Sequence, residues 1–174
     1  VLPLKETVVF PTAVTPLFVV RAESMAAVEA ALRADKRVFL ACQRSAEKDD
    51  PQPGDLYDVG CVAEMLQVLR VPDGSAKILV EGIYAARAVE YMPPAQMLQA
   101  LLVRLEISPL ENSGASAYVR STLSLFEKYA NFSDKVPEDL FLSIKSLEDP
   151  LSLVYAVASY SGIKPSEKQR ILES

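Results

Sequence analysis

The chain contains no histidine and no tryptophan among its 174 residues, and it has only two cysteines. Histidine is the commonest general base in catalysis and the commonest metal ligand. Its absence excludes a Ser-His-Asp or Cys-His catalytic arrangement. It also argues against zinc, because two cysteines that are distant in sequence cannot supply the clustered ligands that zinc requires.

The motifs of nucleotide chemistry are missing as well. No lysine follows a glycine, so there is no phosphate-binding loop, and six scattered glycines form no dinucleotide fingerprint. The Ser–Lys pairs 143/145 and 166/168 lie two residues apart on predicted helices, which points their side chains away from each other. Adjacent acids at 49–50 and 148–149 are typical of solvated charges. The residues therefore predict a chain that is not an enzyme and that has no catalytic, cofactor-binding or metal-binding residues.

Charge and hydropathy exclude two further classes of partner. The net charge is −5 and the basic residues are scattered singly, whereas a nucleic-acid surface needs clustered Lys and Arg. No apolar run approaches the roughly 18 residues of a membrane span, and the start lacks the basic residues of a signal peptide.

Cys42 and Cys61 lie in apolar runs and are expected to be buried free thiols of a reducing cytosol, the alternative being a disulfide or a reactive pair. We expect a cytoplasmic protein that binds neither nucleic acid nor membrane.

The first part of the chain has the pattern of short strands. Pro72, Asp73 and Gly74 predict a hairpin turn between two apolar runs, and Met65-Leu66 breaks the alternation of the first arm, which predicts a bulge there. One helix, at 24–34, interrupts this part. The predicted strands are 7–10, 17–20, 37–42, 59–70, 76–80, 85–91 and 101–107.

The rest of the chain has helical periodicity. Helices are predicted at 116–130, from Pro137, from Asp149-Pro150 with Gly162 as the C-terminal cap, and from Ser166, which with Gln169 forms a capping-box pattern. Strands followed by helices indicate an α+β fold. We predict a β subdomain at 1–107, a linker at 108–114, and a helical subdomain at 115–174 whose last helix is truncated by the end of the chain.

Two apolar segments interrupted by proline, 11–18 and 92–97, are candidates for binding. Proline cannot donate a hydrogen bond to a sheet ladder, so each segment should include a loop, and methionine side chains adapt to varied apolar partners. The alternative is that both segments only cover the open ends of a barrel. The candidate substrate-binding residues are Pro11, Val14, Pro16, Phe18, Met92, Pro93 and Met97.

Several strings in the chain resemble the N-terminal domain of the bacterial ATP-dependent Lon protease family. They are VLPLKETVVFP at 1–11, PLFV at 16–19, LYDVGCVA at 56–63, LRVPDG at 69–74 and KILVEG at 77–82, with looser matches at 126–129, 147–150 and 168–169. The resemblance covers almost the whole chain. The stretch 90–99 departs from it, being shorter and richer in Pro and Met.

The resemblance implies a PUA-like antiparallel β pseudo-barrel with one helix, followed by a helical bundle. It implies no catalytic residue here, because the ATP- and Mg-dependent AAA+ module and the Ser–Lys peptidase of Lon proteases lie in domains that this chain lacks. The implied function is recognition of unfolded, damaged or degron-bearing proteins and support of assembly. The implied partners are those substrates and other Lon subunits, the parent being a hexamer. The residues show no long heptad seam, so we expect the fragment to be a monomer or weak dimer. The alternative is a stand-alone Lon-like binding or adaptor protein.

Overall fold

The computed structural model describes residues 1–92, 96–106, 115–133 and 136–174. Pro93, Ile107 and the predicted linker at 108–114 lie outside the described residues. The strands are β1 (Leu2–Leu4), β2 (Val14–Val19), β3 (Arg37–Cys42), β4 (Val59–Arg70), β5 (Ala76–Met92) and β6 (Gln99–Arg104). The helices are α1 (Ala22–Leu32), α2 (Ala115–Asn131), α3 (Glu138–Lys145), α4 (Pro150–Tyr160) and α5 (Pro165–Glu173). The predicted α+β class is confirmed.

The six strands form a mixed sheet with the order β1-β3-β4-β5-β2, and β6 pairs with β5. The expectation of an antiparallel sheet was wrong in one place, because β1 runs parallel to β3. Parallel neighbours need a long crossover connection, and the segment that contains β2 and α1 supplies it. Closure into a barrel of the PUA type remains a prediction of the resemblance.

The central hairpin agrees with the sequence. Strand β4 has the predicted bounds, the register of β4 and β5 shifts between Met65 and Gln67, and Gly74 in the turn has a φ of 87°. The two strands expected at 76–80 and 85–91 are instead one continuous strand, β5. Gly82 allows this continuity, because a Cβ there would lie 2.1 Å from the Phe10 carbonyl oxygen, so only glycine permits the chain to pass so closely.

The run at 7–10 is not a strand, which corrects the expectation. Val8, Val9 and Phe10 are buried without forming a ladder, and the Phe10 ring packs 5.3 Å from that of Tyr155 in α4. An apolar, β-branched run is equally suited to a buried connection, since burial requires apolar side chains and not a neighbouring strand.

The helices begin close to the predicted places, with two corrections at their ends. Helix α5 starts at Pro165 with Lys164 as its cap, and the Glu167 carboxylate accepts from the Lys164 N–H at 3.0 Å. Ser166 and Gln169 therefore form no capping box. Gly162 is not a left-handed cap, because the chain leaves α4 through Ser161 in an extended conformation.

Helices α4 and α5 pack against the strands and share a core with them. This cluster of buried side chains joins Phe10 and Val59 to Tyr155, Ala158 and Leu172. A separate cluster around Phe126 and Ile144 holds α2 and α3 together. None of the described helices combines the length and apolar content needed to cross a membrane.

Candidate functional site

Strand β2 presents a row of apolar side chains to solvent. Leu17 and Val19 point inward and are buried, whereas Val14 and Phe18 are 45% and 70% exposed. Pro16 is also exposed, and Val20, which follows the strand, is 72% exposed. Because alternate residues of a strand share one face, these four side chains form a continuous outer row.

The neighbouring strands extend this row. Phe18 lies opposite Lys77 of β5, and Lys77 lies opposite Leu69 of β4. The Lys77 ammonium stands 5.2 Å from the centre of the Phe18 ring, a cation–π arrangement, while Leu69 is 59% exposed. We call Val14, Pro16, Phe18, Val20 and Leu69 the β2 surface. Exposed apolar side chains that gather in one patch are typical of interaction sites.

A groove of about 470 Å³ lies between β1 and β2, and its lining includes residues 2–7 and 16–21. The charged side chains that line the groove carry no net charge. The Lys5 ammonium pairs with the Asp49 carboxylate at 2.6 Å, and the Arg21 guanidinium donates to the Pro3 carbonyl oxygen at 2.6 Å. The hydrogen bond and charge of Lys5 lower the pKa of Asp49, so this carboxylate stays ionised at neutral pH.

The other candidate residues are not gathered on the β2 surface. Pro11 is buried and lines a different cleft, of about 530 Å³, between the sheet and α4, together with Ile83, Leu151 and Tyr155. This burial removes Pro11 from the exposed segment expected at 11–18. The segment includes the expected loop at 11–13, whereas Pro16 lies within β2 at its unpaired edge.

The two methionines of the second segment are separated. Met92 is 42% exposed and lies opposite Gln99, on the face that also carries Leu101 and Val103 of β6. Met97 is partly buried against the core cluster that contains Leu2. Met92 and Met97 therefore do not form one joint surface.

The thiol, hydroxyl and ammonium groups that could take part in catalysis are either buried or held in other contacts. Burial raises the pKa of Cys61 to about 12 and that of Cys42 to about 11, and both are free thiols, as expected. Ser143 donates to the Asp139 carbonyl oxygen at 2.9 Å, while Lys145 stands over the Phe141 ring. Within the described ranges, no group of three or more His, Cys, Asp or Glu side chains could hold a metal ion.

A family model described as the ATP-dependent protease La (LON) substrate-binding domain matches residues 1–174. The chain belongs to this Lon family. The Lon protease of Xanthomonas oryzae is 41% identical over 174 residues, and that of Escherichia coli K12 is 38% identical over 173 residues. Both alignments cover 99% of this chain but only 20% and 22% of those proteins. The chain thus spans about a fifth of the length of these curated Lon relatives.

A solved structure supports the Lon domain fold independently of sequence. The N-terminal domain of a Mycobacterium avium complex Lon protease superposes with a TM-score of 0.75 at 18% identity. The superposition covers 99% of this chain and 88% of that one. At this identity the likeness establishes the fold alone.

The exposed apolar residues of this Lon domain that sequence reasoning did not single out include Val20, Leu69, Leu101 and Val103. Val20 continues the alternation of Val14, Pro16 and Phe18, so a stricter reading of period two could have found it. In the predicted strand 101–107, Leu101 and Val103 alternate with Leu102 and Arg104, and this period of two predicts a half-buried strand with one apolar face. Leu101 and Val103 do share a face, but it is the exposed one.

Proposed function

We propose that this domain recognises and holds protein substrates for an ATP-dependent Lon serine protease. The substrates would be unfolded, damaged or degron-bearing proteins, and the domain itself would supply no catalytic group. ATP and Mg would act in a separate module of the parent protein, in the cytoplasm. The observation that carries the proposal is the exposed β2 surface on a domain of a substrate-binding family.

The physical argument concerns what distinguishes a damaged protein from a folded one. Folding hides apolar side chains, so a receptor for damaged proteins must bind such side chains on an extended chain. Covering one large apolar side chain is worth about 1.5–3 kcal/mol. After the cost of ordering a flexible partner, a few such contacts give roughly micromolar binding, or about −8 kcal/mol. Several domains in one assembly would then raise retention through effective concentration.

The competing proposal is a stand-alone Lon-like binding or adaptor protein. The family model that matches residues 1–174 describes the substrate-binding domain alone, so it is compatible with either proposal. The sequence that follows Ser174 in the gene separates the two proposals, because a protease parent requires ATPase and peptidase motifs there. In either case we expect the isolated chain to hydrolyse neither ATP nor protein, and to sediment as a monomer or weak dimer.

The test of substrate binding is a double variant of the β2 surface, V14S/F18S, titrated with reduced casein as the unfolded probe. Both side chains are exposed, so we expect the melting temperature to stay nearly constant while casein binding weakens several-fold. Leu125→Ser is the matched control, since Leu125 is 66% exposed on α2, away from the sheet. Met92→Ser tests the second exposed face.

The possible outcomes discriminate between the sites. Casein binding that survives in V14S/F18S and is lost in Leu125→Ser would move the site to the helical part. A double variant that melts much earlier but binds normally while folded would indicate that these side chains only cover the sheet. Absence of casein binding by the unchanged domain would contradict the proposed function itself.

A further inference from the structure

We propose that the free edge of β2 pairs with an extended, uncharged apolar segment of the substrate, which adds to the sheet as a further strand. This inference rests on the proposed function and specifies how the substrate is bound. Main-chain hydrogen bonds along β2 would supply sequence-independent affinity, and the β2 surface would contact the side chains of the added strand.

The hydrogen bonds at the start of β2 show which of its backbone groups point outward. Gly82 N–H donates to the Ala13 carbonyl oxygen at 3.0 Å, and Thr12 N–H donates to the Gly82 carbonyl oxygen at 2.8 Å. In an antiparallel ladder, residues alternate between hydrogen-bonded and non-hydrogen-bonded pairs. Ala13 and Gly82 form a hydrogen-bonded pair, so the next pair along the ladder, Val14 and Glu81, is a non-hydrogen-bonded one.

The same alternation continues along the strand. Thr15, Leu17 and Val19 direct their N–H and C=O groups to β5, whereas Val14, Pro16 and Phe18 direct theirs away from it. Strand β2 is the last strand of the hydrogen-bonded path, so nothing on that path pairs with this edge. Within the described part of the chain, no backbone hydrogen bond outside the helices and strands uses Val14 or Phe18.

Pro16 lies at an outward-facing position of β2, where a proline removes no hydrogen bond from the sheet. Its missing N–H falls on the outward side, so the ladder to β5 stays complete. The outer edge then offers two N–H donors, from Val14 and Phe18, and three carbonyl acceptors. This spacing complements an extended chain, whose donors and acceptors repeat with the same period.

The groove leaves room for that chain. Six consecutive residues, 16–21, line it on one side and six more, 2–7, on the other. Since consecutive and not alternate residues border it, the groove runs along strand edges and not along one sheet face. Its volume of about 470 Å³ is open to an added backbone.

The charges of the groove favour an uncharged occupant. Lys5 is neutralised by Asp49, and the Arg21 guanidinium is held by the Pro3 carbonyl oxygen and by the Gln43 side chain at 3.2 Å. Arg21 and Glu6 offset each other in net charge. The charged side chains that line the groove sum to zero, so a segment that brought its own charge would lose hydration there without meeting a net opposite charge.

A foreign strand fits this edge better than a second copy of the chain does. In a two-fold antiparallel pair of β2 strands centred on Pro16, Val14 would face Phe18 of the other copy, and the two Pro16 residues would face each other. Neither proline has an N–H, so the centre of that pairing would contain no hydrogen bond. A substrate strand would lack only the bond that the Pro16 N–H would have donated. Proline in an edge strand is also a known guard against self-association.

The test uses a short peptide of alternating Val and Thr with one Lys at each end for solubility, and two derivatives of it. Each derivative carries N-methyl groups on one alternate set of amides, which removes those donors and leaves the side chains unchanged. A strand that pairs with one edge uses a single set. We therefore expect one derivative to bind about tenfold more weakly, the effect of one to two unmade hydrogen bonds, and the other to bind as before.

A second measurement alters the protein. Pro16→Thr restores an outward N–H, and we expect it to bind the unmodified peptide a few-fold more tightly, a gain that misfolding cannot produce. Val14→Pro removes an outward N–H and should weaken binding more than the matched control Val14→Ala, which keeps it. Sedimentation velocity on the unchanged domain and on both Val14 variants reports self-association.

The outcomes separate this inference from the proposed function. Peptide binding that responds equally to both N-methyl derivatives, or casein binding without peptide binding, would overturn strand addition and leave substrate recognition standing. An unchanged domain that sediments as a dimer, and that loses the dimer in Val14→Pro but not in Val14→Ala, would assign the edge to a second copy instead. If the unchanged domain binds neither casein nor the peptide, both proposals are overturned.

Discussion

Gln169 couples the last helix to the sheet, and replacing it tests how the two parts are joined. The side chain is 1% exposed, and its Nε2 donates to the Val59 carbonyl oxygen at 2.8 Å and to the Glu173 carboxylate at 2.8 Å. Its Oε1 is buried without a hydrogen-bond partner among the described residues. Gln169→Glu keeps the shape, removes both donors and places a carboxylate beside two acceptors. Gln169→Leu removes the donors and the unpaired oxygen together.

These differences set the expected magnitudes. An uncompensated buried charge costs about 3–5 kcal/mol, so we expect Gln169→Glu to lose at least that much at pH 7. Gln169→Leu leaves the Val59 carbonyl oxygen unpaired, which costs about 1–3 kcal/mol, but it also removes the unpaired Oε1, which offsets part of that cost. We expect the Leu variant to lose about 1 kcal/mol or less. For a chain of this size each kcal/mol shifts the melting temperature by about 2–4 °C.

Urea unfolding as a function of pH provides the assay. Burial and the Glu173 carboxylate should raise the folded-state pKa of a glutamate at position 169 above its unfolded value of about 4.3. The folded state then binds the proton more tightly, so the variant should recover stability relative to the unchanged domain as the pH falls from 7 toward 4. A protonated carboxyl could also donate to Val59. Equal losses for the Glu and Leu variants, independent of pH, would refute this account of the junction.

Three further predictions concern stability and reactivity. Gly82→Ala should destabilise by about 2–4 kcal/mol in chemical denaturation, because its Cβ would meet the Phe10 carbonyl oxygen at 2.1 Å, while Gly54→Ala, with nothing within 4 Å, should be neutral. Asp149→Ala should cost about 1 kcal/mol in the same assay by removing the N-terminal cap of α4. Hydrogen bonds lower the pKa of Asp149, so its contribution is present above the unfolded pKa of about 3.9 and should be lost as the pH falls below it. Cys61, with a pKa of about 12, should react with a thiol reagent at pH 8 only as fast as the domain unfolds, and rapid labelling of the native domain would contradict its burial.

Local features of the structure were predictable because their causes are local. Strands β3 and β4 have the bounds that their apolar runs predicted, and the turn at Gly74 has the positive φ expected of Asp-Gly. The bulge near Met65 and the start of α4 at Asp149-Pro150 were also predicted. Each depends on backbone restrictions or side-chain alternation within a few residues.

Helix ends and strand faces were harder to predict. The Ser166 and Gln169 pattern had the spacing of a capping box, but Gln169 is used to bind Val59, 110 residues away in sequence. Leu101 and Val103 alternate as a half-buried strand should, yet that face is exposed. A period of two shows that a strand has two faces, and packing decides which one is buried.

The sequence by itself determined the α+β composition, the buried free thiols and the run of apolar residues in β2, because these depend on residue types and their spacing. Only the tertiary structure decided that β1 pairs parallel to β3, that Pro16 lies on an outward edge, and that a groove separates β1 from β2. The physical reason is that a backbone N–H or C=O is chemically the same at every residue. Its partner depends on where distant strands meet, which no local pattern encodes.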